Sequence, residues 1–168
     1  MNVKLIVTYD PAHISSCTES VRNVMAAVGG AKPTFLKSKY HGIFLIAVPK
    51  PKEVVKKLKA LSKKNKDIFG KTYRYIPVGK WVSSKVTDMA KAIKSLVPKI
   101  GVNEKWKMDL EKRYYDKYDY NELILKLTEV VNREKIDLKK PKKIIKVEII
   151  GSNAAISLLE PGELLLVS

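Results

Sequence analysis

The spacing of hydrophobic positions changes several times along this chain, and each change marks an element. Residues 3–9 are apolar enough for a strand. Asp10-Pro11 then offers a helix start, and Ile14, Cys17, Val21, Val24, Met25 and Val28 recur at helical spacing until Gly29-Gly30 ends the run. A strand over 34–37 and an apolar strand over 43–48 follow, joined by a turn at Lys39-Tyr40-His41-Gly42. Pro51 suits the first turn of a second helix, where Val54, Val55, Leu58 and Leu61 face inward and Lys52, Lys56, Lys57, Lys59, Lys63 and Lys64 cover the rest. Residues 72–76 supply a fourth strand, with Tyr73 and Tyr75 on one face and Arg74 on the other. The order is βαββαβ, the ferredoxin-like split arrangement.

Pro77-Val78-Gly79 breaks the pattern, which places a domain boundary between 1–79 and 80–168. Beyond it, Ser83 or Ser84 caps a helix carrying Val86, Met89, Ala90, Ile93 and Val97, and Pro98 stops it. Residues 106–114 form a mixed strand candidate. Asp119 with Glu122 then makes a capping box that opens a helix bearing Leu123, Ile124, Leu127, Val130 and Val131. Pro141 separates this helix from a strand over 144–150, in which Ile145, Val147 and Ile149 lie on one side and Lys146 and Glu148 on the other. Ala154, Ile156 and Leu158 alternate in the same way past Gly151-Ser152-Asn153, completing a hairpin. The fold class expected is α+β.

Composition narrows the function. At 168 residues and 45% hydrophobic content the chain can bury a core. The longest apolar run covers only residues 43–48, and Asp10 interrupts the amino terminus before a signal-peptide core could form, so a cytoplasmic, membrane-free protein is expected. One cysteine excludes an internal disulfide, and with two histidines it cannot build a tetrahedral structural zinc site without carboxylates or a second chain. No glycine-rich phosphate loop, C-x-x-C or H-x-E motif occurs, so catalytic residues, metal and cofactor are all expected to be absent. His13 lies one helical turn from Cys17, but the cysteine sits on the apolar stripe and reads as structural; His41 reads as an exposed hairpin residue.

Charge points the other way, toward a partner. Thirty-three basic residues against 17 acidic ones give +16, the range of nucleic-acid-binding domains. A Lys-rich, Gln-free surface is also seen in proteins from hot environments, although those balance Lys with Glu and this chain does not. Residues 1–79 carry 15 basic and 4 acidic side chains, residues 80–168 carry 18 and 13.

The series Lys135-Ile136-Asp137-Leu138, Pro141 and Val147-Glu148-Ile149, followed by the A-I-S-L strand, resembles the carboxy-terminal half of the THUMP domain of tRNA-modifying proteins. Arg74 to Val78 and Glu111 to Arg113 extend the resemblance over nearly the whole chain, and a ferredoxin-like domain commonly precedes THUMP. The chain looks most like the stand-alone THUMP proteins that serve as tRNA-binding adaptors for cytidine acetylation, since it ends at Ser168 with no catalytic domain attached. The resemblance implies an α/β THUMP domain, a tRNA partner held by its acceptor stem and 3′ end, and a separate RNA cytidine acetyltransferase. The alternatives are a tRNA-modifying enzyme subunit and a binding module for ribosomal or other structured RNA.

Candidate RNA contacts follow from charge and position. Lys105 and Lys107 flank Trp106, and Lys112 and Arg113 end the same strand, so a cationic strip with an interleaved aromatic is expected along one edge. Lys80, Trp81 and Lys85 surround the expected helix start, and Arg74 lies near the domain boundary. Lys139, Lys140, Lys142 and Lys143 crowd around Pro141 and repel one another unless an anion is near.

Overall fold

The alternating and helical periods resolve into nine strands and four α-helices in the computed structural model, which describes residues 2–30 and 32–167. In chain order these are β1 (Leu5–Tyr9), α1 (Ile14–Ala27), β2 (Thr34–Leu36), β3 (Ile43–Ala47), α2 (Pro51–Lys64), β4 (Thr72–Pro77), β5 (Lys80–Ser83), α3 (Val86–Leu96), β6 (Trp106–Arg113), α4 (Tyr120–Thr128), β7 (Lys143–Ile150), β8 (Asn153–Leu159) and β9 (Leu165–Leu166). They form two units, 2–78 with 162–167, and 79–161.

In the first unit the strand order is β2-β3-β1-β4-β9 and every neighbouring pair is antiparallel. The first four strands with α1 and α2 make the expected split β-α-β arrangement. Leu5 and Val7 of β1 meet Cys17, Val21 and Val24 of α1, Val54, Val55 and Leu58 of α2, and Phe69 and Tyr75 in one apolar cluster. Tyr75 keeps its hydroxyl satisfied inside this cluster through Thr72 Oγ1 at 2.8 Å, and Thr72 in turn donates to the Phe69 carbonyl at 2.7 Å. Burial pushes the Tyr75 hydroxyl pKa far above its ordinary value. Ile14, expected on the buried stripe, is 55% exposed, because the chain is still leaving the 3-10 turn Pro11–His13 when it reaches that residue.

The second unit has strand order β5-β8-β7-β6, with β6 parallel to β7 and the other pairs antiparallel. A parallel neighbour requires a crossover, and the 114–142 segment carrying α4 provides it. Helices α3 and α4 bring Met89, Ile93, Leu123 and Leu127 against Met108, Leu110, Ile145, Val147, Ile149 and Ile156, so both helices pack on one face of the sheet. The β7–β8 hairpin turns through Gly151-Ser152, with Gly151 at φ 60°, a conformation glycine adopts without penalty.

Three further features depart from the sequence reading. Residues 80–83 form a strand, so Lys80 and Trp81 flank no helix start. The α3 N-cap is Lys85 rather than Ser83 or Ser84; Ser83 instead donates its hydroxyl hydrogen to Asp88, and Ser84 donates to the Gly151 carbonyl at 2.9 Å. The chain end, assigned to the 80–168 segment, returns to the first unit, where β9 pairs with β4 and buried Glu163 faces Lys52 and Lys56 at 3.9 and 3.7 Å. No helix among the described residues is long and apolar enough to cross a membrane.

Gly79 approaches the strand beside it too closely for any side chain: an added Cβ would lie 2.9 Å from the Ile156 carbonyl oxygen. Gly79→Ala is expected to destabilise the protein by about 1–3 kcal/mol, as overpacking does, whereas Gly162→Ala, which meets nothing within 4 Å, should be nearly neutral. Urea midpoints of the two variants check this.

Candidate nucleic-acid interface

The lysine-rich segment before β7 is held by its own backbone. Trp106 N–H donates to the Lys135 carbonyl at 3.0 Å, Asp137 N–H donates to the Trp106 carbonyl at 2.9 Å, and Lys142 N–H donates to the Lys105 carbonyl at 2.8 Å. Between these points the Asp137 carboxylate accepts the N–H groups of Lys139 and Lys140, each at 3.0 Å, and pairs with Lys105 Nζ at 3.4 Å. Those backbone donors, followed by Lys105, hold the Asp137 pKa below its ordinary value. Pro141 is buried and gives up no donor that the turn needs.

This stitching gathers Lys105, Lys139, Lys140, Lys142 and Lys143 at the start of the parallel pair. Lys143 is engaged by Glu104 at 3.4 Å, and the backbone N–H of Gly101, ahead of Lys143, holds the Glu104 pKa low. Lys139, Lys140 and Lys142 are exposed, and among the described residues none of their ammonium groups has an ion-pair partner. Three exposed ammonium groups gathered on one short turn are suited to phosphate oxygens.

The remaining second-unit candidates lie elsewhere. Trp106 pairs with Lys143 and Arg113 with Ile150, so Lys112 and Arg113 stand at the other end of β6, roughly 23 Å away at a strand rise of about 3.3 Å per residue. Ser83 pairs with Asn153, which brings Lys85, just beyond β5, to that same end. Lys112 donates to the Tyr115 carbonyl at 3.3 Å. Lys107 is half-buried on the sheet face away from the helices, in register with Ile144. Lys80 and Trp81 sit on β5, across two strands from β6, with Lys80 exposed and Trp81 half-buried. Arg74 is half-buried on β4 of the first unit, paired in register with Leu166. The structure thus separates the candidate strip into two groups rather than one.

The interleaved aromatic of that strip is corrected outright. Trp106 is 1% exposed, packs among the residues beneath α3 and α4, and donates its ring N–H to the Arg133 carbonyl at 3.2 Å, so no base can stack on it. Arg133 is structural too, since its guanidinium reaches the Ile100 and Val97 carbonyls at 2.7 and 3.1 Å. Sequence reasoning missed a charged cluster on the sheet face away from the helices. Lys146 and Glu148, placed by alternation on the polar side of β7, are 1% and 0% exposed. Lys146 Nζ lies 2.9 Å from Glu148 Oε2 and 3.4 Å from Asp109 Oδ1, and Arg113 Nε donates to Glu148 Oε1 at 3.4 Å. The Lys146–Glu148 contact is a close ion pair rather than an aligned hydrogen bond. Two such residues at i and i+2, flanked on both sides by apolar residues of β7, were the available signal.

The cysteine and the two histidines lie in different surroundings. Cys17 is fully buried, and that burial, ahead of the nearby Asp10 charge, pushes its thiol pKa up. His13 is exposed beside Asp10 at 3.9 Å, and His41 is exposed in its turn. Among the described residues no group of three or more His, Cys, Asp or Glu side chains could hold a metal ion.

No family model and no curated protein matches the sequence. Solved structures do share the fold: PH1313 from Pyrococcus horikoshii Ot3 superposes at TM-score 0.63 with 15% identity, over 94% of this chain and 55% of that one. TrmN from Thermus thermophilus superposes at 0.56 with 13% identity, over 92% of this chain and 44% of that one. The chain therefore spans about half the length of these structures. The solution structure of the THUMP domain of THUMP domain-containing protein 1 matches 45% of this chain and 84% of that one at 23% identity, but a TM-score of 0.39 is too loose to bear weight. At such identities the likeness establishes the α+β fold.

Two measurements check the local electrostatics. Because the Asp137 pKa is depressed on folding, its contribution to loop order is complete above the ordinary aspartate pKa of about 3.9 and is lost as pH falls through the lower folded value. The amide signals of Lys139 and Lys140 should shift together with one midpoint below that ordinary value. For Cys17, native protein at neutral pH should resist thiol reagents until unfolded, and Cys17→Ala should lower stability by about 1 kcal/mol without changing RNA affinity.

Proposed function

We propose that this protein is a THUMP-domain RNA-binding protein that captures tRNA by its acceptor stem and 3′ end without altering it, and presents it to a separate RNA cytidine acetyltransferase. The observation that carries the reading is the Lys135–Lys143 segment. Its K-I-D-L-x-x-P pattern is the part of the sequence that resembles THUMP. Its fold leaves Lys139, Lys140 and Lys142 exposed and, among the described residues, without ion-pair partners on a loop hydrogen-bonded to the start of β6. A net charge of +16 supplies the sequence-independent attraction that RNA binding uses. The adaptor role is supported by the resemblance of the K-I-D-L-x-x-P region and of residues 74–78 and 111–113 to THUMP adaptor proteins.

The test compares charge-matched triples on a tRNA acceptor-stem minihelix. Lys139→Ala, Lys140→Ala and Lys142→Ala together should weaken binding and flatten the log K against log salt plot by about three units, one per phosphate contact. Lys57→Ala, Lys63→Ala and Lys64→Ala on α2 remove the same charge and should do markedly less. Equal losses from both triples contradict the site. Acetylation of tRNA by this chain alone, supplied with acetyl donor, contradicts the adaptor role.

A further inference from the structure

Arg113 is anchored in an unusual way for an arginine beside a carboxylate. Such pairs commonly engage two parallel N–H groups of the guanidinium fork. Here a single donor, Nε, reaches Glu148 Oε1 at 3.4 Å, and among the described residues the two Nη groups have no hydrogen-bond partner. Glu148 does not need Arg113 for neutralisation, since its other oxygen lies 2.9 Å from the buried Lys146 ammonium. Lys146 is itself fixed by Asp109 Oδ1 at 3.4 Å and by the Asp109 carbonyl at 3.5 Å. The register of the parallel pair dictates the arrangement: Asp109 stands opposite Lys146, and Arg113 lies at the open end of the same strand. Buried ion clusters are weak sources of stability compared with apolar packing of the same volume, so one that grips an arginine with a side chain 34% exposed calls for another purpose.

We infer that Glu148, held by Lys146, which Asp109 fixes in turn, is a positioning residue that tethers Arg113 through Nε and leaves its two Nη groups as a preorganised fork for an RNA backbone phosphate. Planar bidentate recognition of phosphate is what the guanidinium does better than an ammonium. The tether removes the rotamer freedom that an untethered arginine would lose on binding. The contact lies at the end of the sheet opposite the Lys139 loop, so it reads a second backbone position of the same RNA. This inference rests on the RNA-binding reading above.

The test turns on the sign of a charge change. Glu148→Gln raises the net charge by one, so a surface acting through charge alone would bind the acceptor-stem minihelix more tightly. Positioning predicts the reverse: Glu148→Gln and Arg113→Lys should each weaken binding by about tenfold, the scale of one charge-assisted hydrogen bond. In an Arg113→Ala background, Glu148→Gln should add no further loss. Unchanged or tighter binding by Glu148→Gln, or wild-type affinity in Arg113→Ala, overturns the inference. If only these two variants are neutral while the Lys139 triple weakens binding, the RNA reading stands without it; if the triple is neutral as well, both fall. Should Glu148→Gln fail to fold, the Arg113 Nε–H signal of the unmodified protein, assigned with Arg113→Lys, decides: slow solvent exchange at neutral pH supports the tether, and rapid exchange overturns it.

Discussion

The parallel pairing of β6 with β7 over eight registered residues is the constraint on which the second unit depends. Parallel neighbours cannot be joined by a tight turn, so the chain must travel from Arg113 back to the start of β7. It does so through α4, which covers the apolar face, and then through the 131–142 segment, which lies along the beginning of β6. Placing Lys139, Lys140 and Lys142 beside Lys105 is a consequence of that return. The same register puts Asp109 opposite Lys146 and brings Arg113 within reach of Glu148, so both groups of cations are located by one set of backbone hydrogen bonds.

Legibility in the sequence followed the strength of the local signal. Most elements of the βαββαβ order and the β7–β8 hairpin could be read because they have several turns or alternations and a glycine or proline nearby, and the three-residue β2 was placed by the Lys39–Gly42 turn that follows it. The capping of α4 could be read as well, and Asp119 accepts the Glu122 N–H at 2.8 Å. β5 and β9, at 4 and 2 residues, are too short to show a period, and both exist because a partner strand, β8 or β4, offers unpaired backbone groups to them. The cap of α3 was misplaced for the same reason: Ser83 belongs to β5, and its hydroxyl reaches Asp88 from there.

The site was legible at the level of charge and illegible at the level of which charges are available. Alternation along β7 identifies Lys146 and Glu148 as sharing a face but says nothing about whether that face meets water, and a parallel strand is commonly buried on both sides. Trp106 looks like a stacking platform only if its neighbours Lys105 and Lys107 set its orientation; the apolar residues Met108 and Leu110 share its side of β6 and set it instead. Asp137 and Glu104 silence Lys105 and Lys143 partly, which no count of lysines could reveal. What distinguishes Lys139, Lys140 and Lys142 from the many lysines of α2 is that they are gathered on one short turn held to the start of β6, whereas the α2 lysines are spread along a helix.

The central claim is that RNA is held by the second unit at the Lys139 loop and at the Arg113 end of the same sheet. Backbone amide shifts of isotopically labelled protein, followed through a titration with an acceptor-stem minihelix carrying or lacking its single-stranded 3′ end, test it most directly. The account predicts perturbations concentrated at residues 105 and 139–143 and around 112–113, with part of them lost when the 3′ end is removed. Perturbations confined to α2, or spread evenly over every lysine-bearing surface and indifferent to the 3′ end, would contradict it.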